Sequence, residues 1–246
     1  MAARAGFTPA SVGFVGPFGR VLVTLVALAA GSVPRVAAAA GEDNLASRLR
    51  TLPPATSQVI IVHAAAFGVA DAVLETFQRS DNSWRATGGA IPAKLGVNGF
   101  RDRKVEGDGA TPTGVYPIGG TMYGIAPDPG VRHRYHRLVE GDWWNENPAS
   151  PGYNQFVHGP DPGGASEALW TISPQYTHFA VIDYNTPVTV ADPPRGSGIF
   201  LHESVGRGTA GCVAVARGDL VRVLTWLDPA ASPRIVMAPT SQLGRY

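Results

Sequence analysis

The chain has 246 residues, 20 Lys+Arg against 19 Asp+Glu for a formal net charge of +1, and 44% hydrophobic side chains. A charge balance this close to neutral, with no basic stripe, argues against a nucleic-acid partner, and without Cys/His clusters at ligand spacing no metal site or cofactor is indicated. With 30 Gly, 21 Pro and one cysteine, the chain is turn-rich, cannot form an internal disulfide and carries an odd thiol.

Residues 1–40 read as an export signal peptide. Arg4 and Arg20 supply a positive n-region, residues 21–31 an apolar run, Pro34 a break, and Ala37 to Ala40 small-residue cleavage sites ahead of Gly41. The apolar run falls short of the roughly twenty residues a bilayer span needs, so no stable membrane span is expected after cleavage. An uncleaved anchor is the alternative. Residues 41–57 read as a short N-terminal segment and linker, with a helix over 42–51 ended by Pro53-Pro54. Residues 58–240 are long enough for one β-rich domain with its own core, expected to be a monomer.

Within that domain, residues 58–63 form a continuous β-branched run, the pattern of a buried strand, and His63 at its end reads as structural. Residues 72–79 and 84–87 flank Asp81-Asn82-Ser83 as a β-hairpin. A strand over 91–95 leads to a Gly96/Gly99 turn. The stretch from Lys104 through Gly107-Asp108-Gly109 to Ile118 is a polar glycine loop running into a strand. It lacks the Lys-Ser/Thr ending of a phosphate loop and no helix pattern follows, so its plain reading is a tight turn. Residues 119–176 hold no long apolar run but many aromatics, including Tyr123, Trp144, Tyr153 and Trp170. An ordered wall or lid and a satellite hydrophobic cluster are both open readings there. His133, His136 and His158 in this stretch read as surface residues. A strand over 178–185 follows. Leu220, Val223, Leu224 and Leu227 then take helical spacing, with Asp219 at the start and Pro229 beyond, and residues 234–238 make a last strand. The fold expected is mainly β with one packed helix near the C-terminus.

The chemistry concentrates between Gly198 and Val215. An apolar strand over 199–201 ends in His202, a glycine-rich turn follows, and a second strand starts at Cys212, the one cysteine. Such a strand-loop-strand can bring imidazole and thiol together. The imidazole then takes the proton and the thiolate attacks a carbonyl. In contact with His202, the thiol is expected to ionise below its ordinary value of about 8.5. Gly211, lacking a Cβ, lets a substrate approach the backbone, and the Gly211 and Cys212 amides are candidate oxyanion donors. The competing reading is a lone cysteine acting as a small buried hydrophobe.

Gly107-Asp108-Gly109-Ala110-Thr111-Pro112-Thr113-Gly114, Gly196-Ser197-Gly198-Ile199-Phe200-Leu201-His202 and Thr209-Ala210-Gly211-Cys212-Val213 occur in the order seen in L,D-transpeptidase (YkuD/ErfK-type) catalytic domains, which the chain resembles from about Gln58 to Ala238. The resemblance implies an L,D-transpeptidase-like β-sandwich over 58–240 with one packed C-terminal helix and a long loop-rich insertion. It implies a cysteine enzyme, exported to the periplasm or cell wall, that acts on peptidoglycan stem peptides. Cys212 would be the nucleophile, His202 its base, and Gly211 and Cys212 the oxyanion donors. Carbapenem-type β-lactams would be inhibitors. Hydrolysis of the same acyl-enzyme, as in an L,D-carboxypeptidase, is the alternative reaction, and a non-catalytic wall-binding module the alternative class. Glu203 is the candidate for orienting His202; strand alternation turns its side chain away and favours its carbonyl. Tyr184, Thr209, Trp144 and Tyr153 are candidate cleft residues. Three features depart from the family pattern: a short His-to-Cys interval, Ala210 before Gly211, and Ala214 two after the cysteine. Arg207 or Arg217 is a candidate replacement for a missing substrate contact.

Overall fold

In the computed structural model, which describes residues 43–246, the apolar runs become strands of one large mixed sheet; the export-signal reading falls outside the described residues. The first half supplies β1 (Gln58–Ala64), β2 (Asp71–Ser80), β3 (Ser83–Ala86), β4 (Ile91–Lys94) and the short pair β5 (Phe100–Arg101) and β6 (Thr111–Pro112). Next come β7 (Gly114–Gly124), β8 (Arg134–Arg137), β9 (Asp142–Asn145), β10 (Gln155–His158) and β11 (Glu167–Ala168). The last third holds β12 (Phe179–Ile182), β13 (Phe200–Glu203), β14 (Val213–Val215), the helix α1 (Arg217–Trp226) and β15 (Arg234–Pro239). The main sheet runs β1-β15-β7-β12-β13-β14-β4-β2-β3, and β1 also pairs with β2, so the sheet folds over and closes on itself.

Inside this sandwich, alternate residues of nearly every strand meet in one core: Ile60 and Val62 of β1, Leu74 of β2, Ala180 and Ile182 of β12, Leu201 of β13, Val213 and Val215 of β14. The helix joins them through Leu220, Val223 and Leu224, and Leu227 just beyond it closes the turn onto Val223 O. Each large side chain so buried contributes about 1.5–3 kcal/mol. The residues between them point outward, and the chain covers them twice. Over β1 and β15 lie Leu45, Leu49 and Leu52 of the N-terminal segment with Leu243 near the C-terminus. Over β12 and β13 lies the excursion of residues 119–176, where Leu138, Trp144, Leu169 and Tyr176 pack on Phe179, Val181, Phe200 and Cys212. Burial on both faces explains why β12 reads as an unbroken apolar run, and β13, equally buried, carries His202 and Glu203 after Phe200 and Leu201.

The hairpin of β2 and β3 turns at Asp81 and Asn82, φ 49° and 61°, the left-handed pair a two-residue turn requires. The helix expected over 42–51 is instead a single 3₁₀ turn, Ala46–Arg48. The Asn44 side chain accepts the Ala46 and Ser47 amides, a local bond that competes with helix continuation in so short a segment. The excursion is loop-rich but ordered, with β9, β10 and β11 forming a small sheet. It is both the satellite cluster and the wall. Among the described residues no helix is long and apolar enough to cross a membrane.

Candidate active site

β13 and β14 run parallel in the register Leu201↔Val213, His202↔Ala214 and Glu203↔Val215. With a side-chain period of two, Leu201, Val213 and Val215 enter the main core. Phe200, His202, Cys212 and Ala214 therefore share the opposite face. There His202 and Cys212 line one cavity of about 200 Å³, together with Glu167, Tyr176, Arg207 and Thr209.

His202 is buried, and its Nδ1 lies 2.8 Å from the Glu203 carbonyl oxygen. A carbonyl only accepts, so Nδ1 carries the proton and the Nε2 lone pair is the ring's base. Burial holds the imidazole below its ordinary value, which keeps it neutral at pH 7. The Glu203 carboxylate faces away and accepts from Arg217 Nε at 2.9 Å. The Tyr176 ring meets the imidazole edge-on, with centroids 5.7 Å apart.

Cys212 differs from expectation. Its thiol donates to the Gly198 carbonyl at 3.2 Å, and the Phe200 N–H donates to its sulfur at 3.3 Å. Burial and the nearby Glu167 charge push the thiol well above its ordinary value, so the resting group is a closed, neutral thiol rather than a thiolate held by His202. The motif spacing could place the two residues but not reveal the Gly198 carbonyl between strands. Iodoacetamide labelling of Cys212 in the folded protein is expected to be at least about tenfold slower at pH 7 than in the unfolded chain, and to rise only at pH above about 8.5. Labelling with an acid-shifted midpoint would contradict this resting state.

Gly211 sits at φ +156°, and a Cβ there would lie 3.0 Å from the Ala110 carbonyl oxygen and 3.1 Å from Ile199 Cδ1. A side chain there would press on the Ala110 carbonyl and the Ile199 side chain, at a positive φ that L residues rarely adopt. The Gly211 N–H donates to Thr209 Oγ1 at 3.1 Å, so at rest this donor is engaged and not open to an oxyanion. Its carbonyl accepts from Thr111 Oγ1 at 2.8 Å, and the same hydroxyl accepts the Gly96 N–H at 2.8 Å. The Thr-Pro element of the first motif thus braces the peptide before the cysteine.

Three groups at the site escaped sequence reasoning. Lys104 is buried, and its Nζ donates to Asp108 Oδ1 at 2.8 Å; it lies 3.5 Å from where a Gly211 Cβ would stand. Asp108 also accepts the Val105 and Ala110 amides at 3.0 Å each. The Gly107-Asp108-Gly109 turn is therefore also an ion-pair clamp, and the Lys–Asp spacing of four was its one available signal. Glu146 stands against Gly198, its carboxyl pushed up to about 8 by burial and by the charges of Glu167 and Glu106. Glu167 reaches the cavity from the excursion, and the Tyr176 hydroxyl donates to it.

Of the candidate cleft residues, Thr209 lines the cavity and the other three do not. Trp144 lies behind Phe200, ring centroids 4.9 Å apart, with its Nε1 donating to Asn154 Oδ1 at 3.1 Å. Tyr153 donates to Glu106, and Tyr184 donates to the Arg195 carbonyl at 2.7 Å. Tyr153 lines a separate cavity with Pro148, Pro151 and Pro187. His133 is buried rather than exposed, whereas His136 and His158 flank Asp142 at 2.8 Å each. His63 bonds Thr240 and Glu75. Of the candidate arginines, Arg217 is engaged by Glu203 and Arg207 is on the lining. Among the described residues no group of three or more His, Cys, Asp or Glu is placed to hold a metal.

A closed sheet carrying a buried imidazole and thiol on one face, over one cavity, defines the class to which the molecule is assigned. The model of the L,D-transpeptidase catalytic domain (YkuD) matches residues 60–236, and the chain belongs to that family. Two solved structures are similar to it: the helical cell shape determining protein Pgp2 from Campylobacter jejuni, at 16% identity and TM-score 0.39, and a mutant of the same protein, at 15% and 0.38. Each covers 76% of this chain and 52% of its own, so the chain spans about half the length of those structures. No curated protein matches the sequence.

Proposed function

We propose that the chain is an exported cysteine L,D-transpeptidase acting on peptidoglycan stem peptides, with residues 1–40 its signal peptide and 58–240 its catalytic domain. The observation that carries this reading is the presence of His202 and Cys212 on one strand face and in one cavity, with the imidazole's proton fixed on Nδ1. When a stem tetrapeptide enters, the thiol leaves the Gly198 carbonyl and gives its proton to His202 Nε2. The sulfur bonds to the carbonyl carbon of the third, L-centred residue, and the negative charge on its oxygen is met by backbone donors of Gly211 and Cys212. That requires the Gly211 N–H to swing from Thr209. Collapse breaks the C–N bond to the terminal D-residue, whose amine takes the proton back from His202. An amine of a neighbouring stem then attacks the thioester, loses its proton to His202, and the C–S bond breaks to restore the thiol.

Carbapenems present a strained ring carbonyl to the same sulfur and are the expected inhibitors. The test is intact mass of exported protein, with and without carbapenem, beside mass spectrometry of incubated tetrapeptide muropeptides. A chain beginning near Gly41, one carbapenem adduct and cross-linked dimers are expected. Tripeptides without dimers would assign hydrolysis. No adduct and untouched tetrapeptides would overturn the enzyme reading in favour of a wall-binding module.

A further inference from the structure

The cavity at Cys212 holds an acid with no counter-ion. Glu167 lines it, yet no Lys, Arg or His among the described residues pairs with its carboxylate; its one hydrogen-bond partner is the Tyr176 hydroxyl. Tyr176 is itself buried between Phe200 and the His202 ring, each centroid 5.7 Å away, so the carboxylate is held in place by a rigid post beside the base. Gln175 lines the same cavity, and its Oε1, shielded from solvent, has no donor. An unmet buried acceptor costs about 1–3 kcal/mol, and burial raises the Glu167 carboxyl above its ordinary value despite the Tyr176 hydrogen bond, so its charged form lacks compensation in the empty cavity. Arg207, on the same lining and exposed, forms no ion pair. The wall facing Cys212 is therefore rich in acceptors, and the cation on its lining, the exposed Arg207, is not paired with any of them.

We infer that Glu167, with Gln175 beside it, forms a subsite for a primary ammonium group of the substrate, adjacent to the reacting carbonyl. The inference rests on the acyl-transfer reading and adds to it the residue that selects for charge. An ammonium carries three N–H donors, enough for the carboxylate and for Gln175 Oε1 after a side-chain turn, and its charge compensates the burial of Glu167. Docking also offsets the negative charge that, after burial, does most to keep Cys212 protonated. A cationic substrate would thus favour the thiolate that attacks it. The ammonium has two possible sources, the side chain of the acylated stem and the attacking stem, whose ammonium docks first and then gives a proton to His202 before its neutral amine attacks the thioester.

Two measurements separate them. In the first, the mature protein receives two tetrapeptides alike except that the third residue's side-chain amine is free or N-acetylated, and release of the terminal residue is followed. In the second, the acetylated donor is held constant and an amine-bearing acceptor peptide is titrated. Wild type should prefer the free-amine donor by about tenfold or more in kcat/KM, or saturate with acceptor at a concentration that rises at least about tenfold in Glu167→Gln. The amide keeps an acceptor for Tyr176 but loses the charge. Glu167→Asp should retain part of whichever effect is seen. The wild-type donor preference needs no variant, so a misfolded Glu167→Gln cannot hide it. Equal turnover of both donors by wild type, with acceptor saturation unchanged in Glu167→Gln, overturns the subsite and leaves the enzyme reading intact. No turnover of either donor and no thioester on Cys212 sinks both.

Discussion

Lys104→Met is expected to lower the unfolding free energy by about 3 kcal/mol, the low end of the cost of breaking a buried ion pair, because Arg101 Nε, 3.7 Å from Asp108 Oδ2, remains as a longer and more exposed partner. Lys104 and Asp108 are both almost wholly buried, at 3% and 4% side-chain exposure, so water cannot replace the lost ammonium. Burial alone would raise the Asp108 carboxyl, but the Lys104 ammonium and the Val105 and Ala110 amides outweigh it and hold it below its ordinary value. The sign follows: with the folded value depressed, this stabilisation is present above the unfolded value of about 3.9 and is lost as pH falls through the folded value. The variant should therefore lose stability most at neutral pH and converge on wild type in acid. Urea denaturation at pH 7 and pH 3 reads both, and a loss under about 1 kcal/mol at pH 7 would mean the pair is not a structural clamp. Because Lys104 is also the cation that favours ionisation of Cys212, covalent labelling should slow in the same variant.

What was legible in the sequence was what strand periodicity decides. The strand-loop-strand pattern brought His202 and Cys212 together, strand alternation turned the Glu203 side chain away, and the structure has the Glu203 carbonyl on Nδ1. Helical spacing found α1, and Asp81-Asn82 found the hairpin. What was not legible depends on contacts far apart in the chain. Thr111 reaches Gly211 across 100 positions, and Glu167 and Tyr176 arrive from an excursion with no regular period. The Gly198 carbonyl that holds the thiol closed also has no sequence signature. Trp144, Tyr153 and Tyr184 show the same limit from the other side: aromatic type is visible in a sequence, but the direction in which a ring points is set by its neighbours. His133 likewise belongs to the core through packing that no local pattern announces.

The largest functional effect is expected at Cys212 itself. Cys212→Ala should give no carbapenem adduct and no detectable release from a tetrapeptide, because no other nucleophile of comparable softness lines the cavity. The fold should survive. The sulfur sits among apolar side chains and its removal leaves the Gly198 carbonyl and Phe200 amide short of one partner each, a cost of about 1–3 kcal/mol. A thermal melt on the same sample separates lost chemistry from lost structure. His202→Ala should retain the thiol yet acylate about 10²–10⁴ times more slowly, the usual worth of a positioned base. Its deficit should shrink as pH rises, since hydroxide increasingly does the deprotonation that the imidazole does at pH 7. The closed thiol makes this contrast sharp: with the sulfur buried and donating to Gly198, spontaneous ionisation is too rare at pH 7 to replace the base. An adduct on Cys212→Ala, or a His202→Ala enzyme acylating at the wild-type rate across pH, would mean that the pair on the strand face is not the reacting pair.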